Sequence, residues 1–140
     1  MEHLEKLIQY TAWANRTWLD FAFGTAAGDA YLARMVSHIH LAERVWFQRI
    51  WGEPTDSDVF VTKAKDELLE LAAVHESRYA KLLRGDLTRR ILYKRLNGDS
   101  GETSVSDILM HLITHGSHHR GQLATYASQN KLAAPATDYI

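Results

Sequence analysis

Only two prolines, Pro54 and Pro135, occur in 140 residues, and each stands where a run of helical periodicity stops. Proline lacks the N–H that a helix interior needs, and its ring clashes with the preceding turn. A chain so free of breakers, with apolar residues recurring every three or four positions, is built for long helices. In the first such stretch Leu4, Ile8, Thr11, Asn15, Trp18 and Ala22 line one stripe, and Gly24 marks its end. The second runs from about residue 29 to 51, with Leu32, Met35, Ile39, Ala42, Trp46 and Ile50 in register before Gly52 and Pro54. A third, about 64–83, carries Leu68, Leu71, His75 and Tyr79 through a polar background. The fourth opens on Ser104-Val-Ser-Asp107, a capping-box-like start, and continues to about residue 130. Its stripe is Val105, Ile108, Leu112, Gly116, His119, Leu123 and Tyr126.

Between the third and fourth stretches the period changes. Ile91, Tyr93 and Arg95 alternate with Leu92, Lys94 and Leu96 before Asn97-Gly98, a favoured hairpin pair, so a short extended segment or hairpin is expected there. The fold expectation is all-α: one four-helix-bundle domain over residues 1–140, with that hairpin on the bundle end. The loops at 24–29 and 52–63 lead to the expectation of an antiparallel bundle, though the loop at 52–63 is long enough to permit a crossover.

Charge and composition narrow the function. Sixteen basic against seventeen acidic residues leave a net charge of −1, which recruits neither nucleic acid nor anionic lipid. No apolar run approaches the ~20 residues of a membrane span. The acidic start Met-Glu-His-Leu-Glu is unlike a signal peptide, so a cytoplasmic location is expected. Zero cysteine excludes disulfides, thiolate metal sites and a cysteine nucleophile in this chain.

Metal chemistry then rests on imidazole and carboxylate, and four of the eight histidines fall within nine residues, His111 to His119. Residues four apart on a helix stand one turn above each other. Measured from Leu112, His119 lies about 20° and His115 about 60° off the stripe, whereas His111 and His118 lie about 100° or more off, on its flank. Two stacked inward imidazoles are costly unless something satisfies their nitrogens, and a divalent cation does so. A hydrogen-bonded core pair is the competing reading. The residue after His115 is Gly116, where a zinc peptidase of the His-Glu-x-x-His type carries its glutamate base, so that mechanism is not supported. Glycine inside a helix costs about 1 kcal/mol relative to alanine, so at Gly116 and Gly121 a close neighbour is expected to need the space. A third ligand would come from the second helix, where His38 and His40 are about 200° apart around the axis and cannot share one metal. Periodicity does not choose between them. His75 reads as a core or boundary residue without a nameable partner, and His3 as a terminal surface residue.

Several segments together resemble the DinB family of metal-binding four-helix bundles. They are Tyr10-Thr-Ala-Trp-Ala-Asn-Arg16, His38-Ile-His-Leu-Ala-Glu-Arg-Val-Trp46, His111-Leu-Ile-Thr-His-Gly-Ser-His-His-Arg-Gly-Gln122 and the ending Pro135-Ala-Thr-Asp-Tyr-Ile140. The likeness extends over nearly the whole chain in order, and the last-helix motif is its most specific part. Thr114 stands where the family often has asparagine. The resemblance implies a metal site of His38, His115 and His119, and it is the resemblance that favours His38 over His40. It implies zinc or nickel with an open coordination position, and Glu43, Asn15 and Gln122 are the polar groups expected around the ligands.

Relatives of known activity in the broader superfamily use the metal to activate a small thiol such as bacillithiol, mycothiol or glutathione. The first expectation is therefore a metal-dependent thiol S-transferase or related enzyme, with Glu43 as candidate general base and the thiol supplied by a cosubstrate. The alternative is a metal-binding stress protein without turnover. Direct DNA binding is disfavoured because no helix carries a basic stripe. A di-iron carboxylate site is disfavoured because no Glu-x-x-His pair occurs. Arg120 is read as a surface or helix-packing residue rather than a binder of a cosubstrate carboxylate. Trp13, Trp51 and Phe60 are candidate anchors for a homodimer.

Overall fold

The computed structural model describes residues 2–95 and 97–140. Helices α1 (Glu2–Phe23), α2 (Ala30–Trp51), α3 (Lys65–Leu83) and α4 (Val105–Gln129) form the bundle, and strands β1 (Arg90–Lys94) and β2 (Ser100–Ser104) form the expected hairpin. Each helix boundary falls within one or two residues of its sequence signal, because the caps are local. Asp29 accepts a hydrogen bond from the Leu32 amide, and Ser104 accepts one from that of Asp107. In the hairpin, Arg90 pairs with Ser104 and Lys94 with Ser100. The turn closes through Gly98, whose φ of 89° a residue with a Cβ rarely adopts.

The long loop is a crossover. α2 runs antiparallel to α1, but residues 52–64 then climb back along α2, so that the Lys63 amide donates to Ser37 Oγ and Lys65 comes within 3.9 Å of Asp20 near the end of α1. α3 therefore runs parallel to α2 and α4 parallel to α1. α3 and α4 each pack against both α1 and α2 and take opposite corners of the bundle. The β hairpin spans the end between them, touching α2 through β1 and α4 through β2.

Two apolar cores fill the interior. One, at the α1–α2 turn, gathers Trp18, Leu19, Leu32, Ile39, Leu68 and Leu123. The other, at the hairpin end, gathers Ile8, Phe47, Ile50, Leu82, Ile108 and Leu112. Along each helix the residues between these groups are polar yet buried: Thr11 and Asn15 on α1, His40 and Glu43 on α2, His75 on α3 and Arg120 on α4. A polar belt thus crosses the middle of the bundle. The chain end folds back on α1, with the Tyr10 hydroxyl donating to the Thr137 carbonyl at 2.7 Å. No helix of the described residues is long and apolar enough to cross a membrane.

Candidate metal centre

His38 from α2 and His115 and His119 from α4 converge at mid-bundle, on the side where the crossover passes α2. Their Nε2 atoms meet: His38 to His119 is 3.1 Å, and His119 to His115 is 3.1 Å. The outer nitrogens decide what that convergence means. His38 Nδ1 donates to the Val59 carbonyl at 3.0 Å, and His119 Nδ1 donates to Gln122 Oε1 at 2.8 Å. A neutral imidazole with its proton on Nδ1 presents a bare lone pair at Nε2. Two such lone pairs 3.1 Å apart repel. One proton can bridge one edge but leaves the third nitrogen unsatisfied, whereas a cation serves all three. The spacing is close to the ~3.3 Å ligand-to-ligand edge of a tetrahedral site with bonds of 2.0–2.1 Å.

The electrostatics favour the neutral form of His38 and His115, the form in which an imidazole can ligate a metal. Burial, followed by the adjoining His119, His38 and His111, holds His115 down to about 3. Burial also lowers His38, against the Val59 carbonyl that favours its charged form, and His119 lowers it further. Phe60, from the crossover, stacks flat on the His38 ring at 4.2 Å between centroids and is itself half exposed. One segment thus orients His38 through a backbone carbonyl and covers its face. Periodicity did not reveal this, because the crossover residues carry no periodic pattern.

The flanking histidines lie where the helical wheel put them. His111 packs edge-on against Trp46, and its pKa is lowered by burial and then by Arg49, whose guanidinium lies over both Trp46 and Tyr93. His118 is exposed beside Gln122. The Thr114 hydroxyl bonds back to the Met110 and His111 carbonyls of its own helix rather than to any of the three converging imidazoles.

Glu43 is placed elsewhere. Its carboxylate lies in the polar belt, where Oε1 accepts from Asn15 Nδ2 at 3.1 Å and from the Tyr79 hydroxyl at 2.9 Å, and Oε2 accepts from His75 Nδ1 at 2.9 Å. Burial pushes this carboxyl up, but the His40 and His75 imidazoles outweigh it and hold Glu43 well below the usual carboxylate range. Of the polar groups expected around the metal ligands, Gln122 takes that place. Asn15 and Glu43 bond each other instead.

Asn15 also receives Arg120 Nη1 at 2.6 Å, so one amide bridges a buried guanidinium and a buried carboxylate. Gly116 makes room for this bridge, since a Cβ there would stand 2.8 Å from Arg120 Nη1 and 3.4 Å from Asn15 Oδ1. The space reserved at Gly116 is real. At Gly121 nothing lies within 4 Å of such a carbon, so the expectation of a close neighbour fails there. His75 and Tyr79 went without partners in the sequence reading. Their signal was a polar pair four apart on the inner stripe of α3, which demands a buried acceptor on a neighbouring helix.

A four-helix bundle with this crossover and an imidazole triad defines a class of protein. The DinB family model matches residues 1–140, and the chain belongs to the DinB family. It is similar to Protein DinB of Bacillus subtilis (strain 168), at 22% identity over 155 residues, covering 96% of this chain and 90% of that protein.

Proposed function

We propose that His38, His115 and His119 hold one divalent cation, zinc or nickel, and that the protein uses it to activate a small thiol or water. The observation that carries this reading is the meeting of three Nε2 atoms, with the outer nitrogens of His38 and His119 already committed to the Val59 carbonyl and to Gln122. A bound cation lowers the pKa of a thiol or water in its open position and so supplies a nucleophile at neutral pH. The chain's own part is to favour the neutral form of His38 and His115, fix the tautomers of His38 and His119, and shield one face with Phe60. With no cysteine, the chain needs its thiol from a cosubstrate. Glu43 is no part of this proposal as a base, since both its oxygens accept hydrogen bonds within the belt. The exposed Trp13 indole offers a face for a homodimer, which sedimentation at micromolar concentration checks.

Metal analysis of untagged protein tests the site. His115→Ala and His119→Ala should each lower bound divalent metal by one equivalent per chain, and unchanged metal in both would remove the assignment. Holo-protein with a panel of small thiols and monochlorobimane tests the chemistry. Acceleration over free metal with one thiol supports a transferase; none with any thiol leaves a metal-binding protein without turnover.

A further inference from the structure

The polar belt holds a second set of ligating atoms, independent of the first. His40 and Glu43, three apart on α2, face His75 on α3, and one ligand atom from each lies within 4.8 Å of the others. All three side chains are buried, at 2%, 4% and 2% exposure. Glu43 Oε2 is 2.9 Å from His75 Nδ1 and 3.6 Å from His40 Nδ1. Those separations bracket the ~3.3 Å edge expected between donors around a small tetrahedral cation.

The hydrogen bonding of the belt is incomplete at this point. Both nitrogens of His40, and Nε2 of His75, have no partner among the described residues. A buried imidazole nitrogen left unmatched gives up its hydration with nothing in return. Beside these rings is a cavity of about 10 Å³, lined by Asn15, His40, Glu43, His75 and Tyr79. That is close to the least space that one water or one ion needs. Two imidazoles and a carboxylate are a zinc-type donor set. The carboxylate is also held from behind, by Asn15 and Tyr79 on Oε1, which leaves Oε2 turned toward the histidines.

We propose that His40, Glu43 and His75 form a second, fully buried cation site of the zinc type. It repeats the logic of the first, with two ligands from one helix and a third from its neighbour. α2 serves both, because its two histidines point to opposite sides. The buried site leaves its ion no route for substrate, so its role is structural: it ties α2 to α3 across the belt. When the cation enters, the proton that His75 Nδ1 shares with Glu43 leaves that nitrogen, and Nε2 is free to carry it.

Crystals of the full chain refolded in excess zinc, with diffraction recorded at the zinc absorption edge, test the site directly. Refolding in zinc removes any question of entry into a closed interior. The expected result is an anomalous peak enclosed by His40, Glu43 and His75, whether or not a second peak appears at His38, His115 and His119. A cavity that holds only a water, or stays empty, overturns the proposal without touching the first site. In solution His75→Gln should lose one zinc per chain while the His115→Ala, His119→Ala double variant keeps one. Should the His75 variant fail to fold, the map of the native chain decides alone.

Discussion

The two histidine clusters on α2 begin from the same residue type two positions apart, yet the bundle treats them differently. His38 faces α4 and the crossover, where two of its companions, His115 and His119, are only partly buried. His40 faces α3, among wholly buried groups. The first cluster is all imidazole and carries no compensating charge. The second contains a carboxylate linked through Asn15 to the Arg120 guanidinium. The comparison separates two uses of buried polarity. At the open cluster, three imidazole Nε2 atoms converge on one another. At the closed cluster the protein matches both carboxylate oxygens but leaves three imidazole nitrogens without a partner among the described residues, and the network ties together three of the segments that carry the family likeness: Asn15 from the first, Glu43 from the second and Arg120 from the third.

The sharpest break between the clusters should appear in stability without metal. Removing one member of a buried charged network strands its partners, at a cost of about 3–5 kcal/mol. Glu43→Ala leaves the Asn15, Tyr79 and His75 donors without an acceptor and the Arg120 charge uncompensated, so a loss of that size is expected. His119→Ala instead removes a lone-pair repulsion along with one hydrogen bond to Gln122, and should change stability by less than about 1 kcal/mol. Urea unfolding in the presence of a chelator measures both. Equal losses at the two positions would erase the distinction.

How much of this was legible in the sequence follows from how far each signal reaches. Helix limits were legible because Asp29, Ser104 and the glycines act within a turn of themselves. His115 and His119 were legible as an inward pair because four residues on one helix fix their relative direction. The choice of His38 over His40 was not, since it depends on which helix lies beside each face, and both faces are occupied. The crossover could be foreseen as a length but not as a path. Its carbonyl on His38 and its Phe60 ring are therefore products of the fold alone. The surroundings of Glu43 were not legible for the same reason: a helical wheel says which residues point inward, not which neighbour they meet.

Acid should separate the clusters a second time, with a smaller effect. The His115 pKa is depressed in the folded chain, so below its ordinary value of about 6.5 the unfolded chain takes up a proton that the folded chain refuses. The corresponding stability is present above that pH and is lost progressively as pH falls toward about 3. The Glu43 contribution has the other origin: the folded carboxylate is favoured, so it persists above the ordinary carboxylate pKa and fails only as pH drops below it. Chelated native protein should therefore lose urea resistance from about pH 6.5 downward, and His115→Ala should flatten that first slope while leaving the loss below pH 4. An unchanged slope in His115→Ala would mean that the open cluster does not pay for its neutrality in stability.

The smallest test uses the two glycines of α4, which differ only in what stands next to them. Alanine in place of a mid-helix glycine gains about 1 kcal/mol when nothing is in the way. At Gly121 the added carbon meets nothing within 4 Å, so Gly121→Ala should gain up to that amount. At Gly116 it meets the end of the Arg120 side chain at 2.8 Å. An exposed arginine would swing aside, but this one is 4% exposed and bonded to Asn15 at 2.6 Å, so it has nowhere equivalent to go. Losing a charge-assisted hydrogen bond costs about 1.5–3 kcal/mol, more than the helix gains. Gly116→Ala should therefore lose about 1 kcal/mol net in urea unfolding while Gly121→Ala gains. If both variants gain, the Arg120–Asn15–Glu43 bridge can yield without cost, and the closed cluster is not the rigid member of the pair.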